Sequence, residues 1–398
     1  MHDPNSTSLG PEYIINDAGE VSPVESGPSF APGGGSAGGG GKDTGGSSPS
    51  SPSSPSTPST PTATLVSAAG SNLEIDLIWD SSVASAPTGF TTAITDAAQY
   101  YVSNFTSATG AATVLYIDVG YGEIAGTTPL AATALGESES LGYLTNYSAV
   151  TSALAHNGYN LSFSASNEPT TAQFFITSAQ AKTLGLIGGT SGGATSVDGY
   201  IGFSNLTDTG VSWNLYANAN GSNSETLSNQ YDLQAVAQHE LSEVMGRIGM
   251  EGEIVNGKPT YTLLDLFNYA SYNTANNTGS LVLSGAGGYF SANGGASVSG
   301  AYNNAVAYGG DIADWASYSS PSQSGTLPAG SPSNLADSYN AFLGLGENGY
   351  ISQADLLEDW VIGYHSLTPI SSPTPAPTPT PTPTPTPNPP SPSTGKSG

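Results

Sequence analysis

Two low-complexity stretches decide how much of this chain can fold. Residues 20–62 are dominated by Gly, Ser and Pro (APGGGSAGGGGKDTGGSSPSSPSSPSTPSTPT), and residues 367–398 carry PTPAPTPTPTPTPTPNPPSPST. Neither can bury enough apolar surface to offset the entropy of ordering the chain. The first is expected to be a linker, flexible and then stiffer, and the second a polyproline-II-like spacer. The predicted organisation is a disordered N-terminal segment over 1–63, one folded block over 64–366 and a disordered tail over 367–398. Pro/Thr and Pro/Ser spacers around a single block are common in exported or surface-attached bacterial proteins. A secreted or extracellular location is therefore expected, with cell-surface attachment an option and a monomer the expected state.

Charge narrows the partners. Charged residues make up 9% of the chain and are lopsided, 31 Asp+Glu against 5 Lys+Arg, for a formal net charge of −26. Such a chain repels nucleic acid and anionic membranes, so neither is expected as a partner. Acid conditions would relieve the carboxylate repulsion. With no cysteine there is no disulfide and no thiolate nucleophile or ligand. No run is apolar and long enough for a transmembrane segment. The opening residues MHDPNSTSLGPEY lack a basic and an apolar region, so no signal peptide is expected in them, and export would need an upstream start or another route.

Within the block, LEIDLIWD (73–80) alternates as a strand, TGFTTAITDAAQYYVSNF (88–105) carries a helical apolar stripe, and AATVLYIDVGYGEI (111–124) is a second strand. NYSAVTSALAHN and TSAQAKTLGL suit short helices, VDGYIGFS (197–204) a short strand, and LSNQYDLQAVAQHELSEVMGRI (227–248) the strongest helix. Short strands follow in TYTLLDLFNY, GSLVLS and GGYFSANGGASV, and SQADLLEDWVIGY (352–364) closes with a helix. The mixed order predicts an α+β fold, a central mixed, twisted sheet backed by helices.

The long helix holds the chemistry. At about 100° per residue, Ala237, Leu241, Val244 and Ile248 form one packing stripe, with Leu233 and Met245 beside it. His239 and Glu243 stack one turn apart on another face, and Glu240 leans to the same side. The plain alternative is the wet side of an amphipathic helix. Against it, charge is scarce, yet this stretch gathers a His, two Glu and the chain's one arginine, Arg247. A helix can offer two ligands at i and i+4 to one metal ion, leaving the residue at i+1 free to take a proton from water.

The pattern His239-Glu240-x-x-Glu243-x-x-Gly246 resembles the zincin metallopeptidases, within them the metzincin-like group, with the second histidine of HExxHxxG replaced. HELSEVMGR, with LLDLFNY and DIADW downstream, is similar to a bacterial extracellular metallopeptidase family bearing HExxE. The resemblance implies a zincin-like fold with a central active-site helix, a zinc ion held by His239 and Glu243, and Glu240 as general base. Three residues past Gly246, where metzincins place a ligand, stands Gly249, which cannot ligate. Asp265, an acidic residue in an otherwise apolar run, is the first choice for the third ligand, because buried charge without a partner is costly. A turn-capping role for Asp265 stays open, and Glu251 and Glu253 compete. The strand containing Tyr200 and Gly202 would pair with an extended peptide substrate, and Tyr269 could donate to an oxyanion.

Elsewhere, Asp311 and Asp314 in GDIADWAS, and Asp355, Glu358 and Asp359 in the closing helix, are candidates for a calcium site without EF-hand spacing. LIGGTSGGATS lacks the GK[ST] of a phosphate loop and reads as a plain loop. The function expected is a secreted metal-dependent endopeptidase acting on protein or peptide. The alternative is a noncatalytic adhesin or glycan-binding module displayed on Pro/Thr-rich stalks.

Overall fold

The computed structural model describes residues 12–16, 21–23, 62–131, 134–158, 165–206, 210–216, 228–303, 311–316 and 337–370. Its centre is a ten-stranded mixed sheet. The strands are β1 (Glu12–Asn16), β2 (Val21–Pro23), β3 (Thr62–Val66), β4 (Leu73–Trp79), β5 (Thr113–Tyr121), β6 (Gly136–Asn146), β7 (Gln173–Thr177), β8 (Gly199–Phe203), β9 (Glu253–Val255) and β10 (Lys258–Tyr261). The main path runs β9-β10-β7-β6-β8-β5-β4-β3, with β1 and β2 attached at β6. β4, β5 and β8 are parallel neighbours, whereas β6 runs antiparallel to both β8 and β7.

β4 and β5 alternate as the sequence predicts. Leu73, Ile75, Leu77, Leu115, Ile117 and Val119 are fully buried on the face that carries the helices. That face receives α1 (Phe90–Asn104), the crossover between β4 and β5, and α4 (Leu233–Met245), which packs on α1, β6 and β8. α2 (Tyr147–His156), α3 (Ser178–Thr183) and α5 (Gln353–Val361) complete the helices. The opposite face keeps a smaller cluster of Ile78, Leu141 and Val197 with Tyr116 and Tyr200 against it. There Lys182 Nζ meets Asp198 Oδ2 at 2.6 Å, with both side chains almost wholly buried. No helix among the described residues is long and apolar enough to cross a membrane.

Three expectations need correction. Residues 12–16 and 21–23 fall in the segment expected to be disordered, yet they form a hairpin on β6. Tyr13, Ile14 and Ile15 give this stretch an apolar content that the Gly/Ser/Pro run lacks. VDGYIGFS, expected to pair with substrate, is interior: Tyr200 faces Asp118 on β5 and Glu139 on β6, and Gly202 faces Gly120 and Glu137. With both edges of β8 paired, neither residue has a free ladder to offer a peptide. Finally, TYTLLDLFNY is not one strand. It divides into the end of β10, a 3-10 turn over Leu264–Phe267 and a new strand, Asn268–Asn273.

Candidate metal centre

α4 is fixed at both ends. Asp232 caps it, accepting from the N–H groups of Gln234 (3.1 Å) and Ala235 (3.3 Å), and its other oxygen takes the Gly349 N–H at 3.1 Å. Gly246 ends it at φ +118, a left-handed conformation that favours glycine, and a side chain there would also collide with Gln180. Tyr101 donates to the carbonyl of Gln238 at 2.6 Å. The packing stripe is buried as predicted, but so is the polar face: Gln238, Glu240, Ser242 and Glu243 are all within the interior. A solvated helix face does not describe this element.

His239 is held by its Nδ1, 2.9 Å from the carbonyl oxygen of Ser338. A carbonyl only accepts, so Nδ1 carries the proton and Nε2 is left facing inward. Nε2 lies 3.2 Å from Glu243 Oε1 and 3.2 Å from Asp314 Oδ1. The remaining carboxylate oxygens are occupied. Ser138 Oγ donates to Glu243 Oε2 at 2.9 Å, and the Asp311 N–H donates to Asp314 Oδ2 at 3.0 Å. Arg247, wholly buried, spans both acids from behind, with one nitrogen 3.2 Å from Glu243 Oε1 and the other 2.9 Å from Asp314 Oδ1. Its Nε donates to Ser242 Oγ at 2.7 Å, and its guanidinium lies over the Tyr339 ring, 4.5 Å from the centroid.

Nε2 and the two carboxylate oxygens converge on one point, where Arg247 supplies one positive charge against two carboxylates. In the metal-free cluster a proton on Nε2 supplies the second. Burial alone would push the His239 imidazole down, but the Asp314 and Glu243 carboxylates more than reverse this and hold it well above its usual range. Burial likewise opposes ionisation of Asp314, yet His239 and Arg247 bring it down to about 2. The same three residues form a group that could hold a metal ion. The ligand atoms of His239, Glu243 and Asp314 all lie within 4.8 Å of one another. The two spacings from Nε2, 3.2 Å each, are hydrogen-bond distances and are also close to the roughly 3.3 Å between two ligands at about 2.0–2.1 Å in a tetrahedral shell. One imidazole and two carboxylates suit zinc and harder divalent metals alike.

The cluster opens onto a cleft of about 1090 Å³ lined by Glu240, Gly136 and Glu251 among others. Glu240 is 5% exposed and follows His239 directly. Gly136, the first residue of β6, lies so close that any side chain there would collide with the Glu240 carboxylate.

The first-choice third ligand is elsewhere engaged. Asp265 accepts from the N–H groups of Thr262 (2.7 Å), Glu251 (3.0 Å) and Met250 (3.1 Å), tying the turn after α4 to the end of β10. Burial raises it to about 6 against the pull of those donors. It caps and braces, and the carboxylate that joins His239 and Glu243 is Asp314 from DIADW, singled out in the sequence only for calcium. Glu251 borders the cleft, but burial and Asp265 push it up to about 9, which makes it a neutral acid. Glu253 is exposed. Tyr269 is buried against Tyr289, ring centroids 6.2 Å apart, and does not line the cleft. The α5 acids are spent on internal donors: Asp355 takes Trp315 Nε1 at 2.6 Å, Glu358 the Tyr302 hydroxyl at 2.6 Å and Asp359 the Tyr339 hydroxyl at 2.9 Å. Sequence reasoning missed β6 altogether, although its Ser138 and Ser140 both bond Glu243.

No family model, no curated protein and no solved structure matches this chain.

Proposed function

We propose that the cleft is the active site of a metal-dependent hydrolase acting on peptide bonds, with His239, Glu243 and Asp314 holding the ion. The observation that carries the reading is the convergence of His239 Nε2 with Glu243 Oε1 and Asp314 Oδ1, at 3.2 Å each, while Ser338 fixes the other ring nitrogen as the donor. A bound divalent ion supplies Lewis-acid polarisation of a substrate carbonyl and makes water a stronger nucleophile. Zinc is the first candidate, with calcium and other oxygen-preferring ions as competitors.

The chain's own groups do the rest. Glu240 borders the same cleft as the ligands but is not one of them, which suits a general base that takes the proton of the attacking water and returns it to the leaving amine. Arg247 holds both ligand carboxylates in place and restores a positive charge that replacing an imidazole by a carboxylate removes. The Pro/Thr and Gly/Ser/Pro spacers and the scarcity of basic residues support work outside the cell.

The test is bound metal measured by mass spectrometry on the purified chain, with casein cleavage assayed from acid to neutral pH. Stoichiometric metal and cleavage that Glu240→Gln abolishes, with the metal retained, are expected. A chain that neither binds metal nor cleaves casein refutes the reading.

A further inference from the structure

The groove beside Glu240 has an occupant from the same chain. β1 runs antiparallel along β6, from Glu12 opposite Tyr143 to Asn16 opposite Glu139. Ile15 and Asn16 line the same cleft as His239 and Glu240. Among the described residues the β1 pairing stops at Glu139. Ser138, Glu137 and Gly136 continue the strand with β8 as partner on the other edge. A peptide prolonging the register of β1 would pass these three residues in turn. It would arrive at Gly136, which abuts the Glu240 carboxylate.

β1 is held outside the main core. Ile15 belongs to a small apolar cluster with Phe175, Met250 and Val255, separate from the main core. Glu12 accepts from Ser178 Oγ at 3.3 Å and from the Tyr143 hydroxyl at 3.4 Å, and Asn256 donates to the Tyr13 hydroxyl at 3.2 Å. Tyr13 and, from β2, Val21 pack against the same cluster, and what further holds β1 to β6 is chiefly the backbone ladder, which any extended peptide can reproduce. The hairpin can therefore leave without opening the main core. Covalently attached to the block, it competes as an intramolecular ligand.

We propose that β1 holds the place of an extended polypeptide on the β6 edge, so that the N-terminal hairpin and a polypeptide ligand compete for one groove. The register defines the ligand: an extended segment with an aliphatic residue where Ile15 sits opposite Ser140, four positions before the residue facing Gly136. Its bearing on catalysis rests on the hydrolase reading, whereas the docking itself does not.

The experiment uses the full chain, wild type and with Ile15→Asp, which puts a charge into the Phe175–Met250–Val255 cluster. Tyr13→Pro, which removes an N–H of the β1–β6 ladder opposite Gly142, is the second variant. A fluorescently labelled peptide PEYIIND, the β1 sequence, is titrated against each and followed by anisotropy. An occupied groove lowers apparent affinity by the fraction of time it stands open, so both variants should bind the peptide at least about tenfold more tightly than the wild type. Equal binding by all three, or binding by none, overturns the proposal. So does loss of the folded core in both variants, since β1 would then be integral to it. Casein cleavage should rise with peptide binding. If no form binds metal or cleaves casein, the hydrolase reading fails and the peptide titration still decides the docking.

Discussion

Replacing Arg247 by methionine separates a metal centre from a purely structural ion-pair network. The guanidinium is completely buried and contacts Glu243, Asp314, Ser242 and the carbonyl of Ala313. The two carboxylates are themselves only 2% and 3% exposed, so removal leaves buried negative charge short of a partner. Breaking such a pair from one side costs about 3–5 kcal/mol. At roughly 2–4 °C per kcal/mol, Tm in the presence of a chelator should fall on the order of 10 °C. Adding a divalent ion then acts oppositely in the two forms. In the wild type the guanidinium stands beside the incoming cation and repels it, whereas in Arg247→Met the ion is the missing counter-charge. At a hundredfold excess over Kd an ion contributes about 2.7 kcal/mol. At one fixed zinc concentration, differential scanning fluorimetry should therefore record a larger rise for Arg247→Met than for the wild type. A structural network predicts the same loss with and without metal. Equal losses, or no metal-induced shift in either form, would refute the reasoning.

Other perturbations give separable outcomes. Gly136→Ala should displace the Glu240 carboxylate, lowering casein cleavage at least about tenfold while metal content by mass spectrometry stays at the wild-type level. Asp265→Asn should cost about 1–3 kcal/mol in urea unfolding through its lost N–H acceptors and leave metal content unchanged, whereas Asp314→Asn should lose the metal. Metal-free stability should fall as pH rises. Burial holds Asp118 and Asp359 up to about 7, and burial with Asp265 holds Glu251 up to about 9. Their contribution is complete below the unfolded carboxylate range near about 4 and is lost as pH climbs through the folded values. Tm under chelation should be higher near pH 5 than near pH 8, and the opposite slope would contradict it.

The parts of the fold carried by apolar periodicity were legible in the sequence. β4, β5, α1, α4 and α5 lie where alternation and helical stripes predict them, and helical spacing, scarce charge and the HExxE pattern together single out His239, Glu240 and Glu243. What escaped detection was written in other chemistry. β6 reads GESESLGYLTN, because its inward residues beside α4 are Ser138 and Ser140, small donors chosen to meet Glu243 rather than apolar groups. A search for hydrophobic alternation passes over it, and the strand expected to meet substrate, β8, is paired on both sides. Asp265 and Asp314 look alike in sequence, each an acid among apolar neighbours. Only tertiary contact tells them apart: backbone N–H groups surround one, and His239 and Arg247 surround the other.

The burial of two of the three Lys and Arg side chains in the folded block has a consequence for how the protein meets proteases. Trypsin-like enzymes cut after Lys or Arg, and between residues 62 and 370 the chain offers three such positions. Lys182 is locked against Asp198, and Arg247 is sealed behind Glu243 and Asp314. Lys258 is exposed but precedes Pro259, a bond these enzymes leave intact. The native block therefore presents no productive site to a basic-specific protease. Cleavage after Lys182 or Arg247 becomes a direct clock for its global opening.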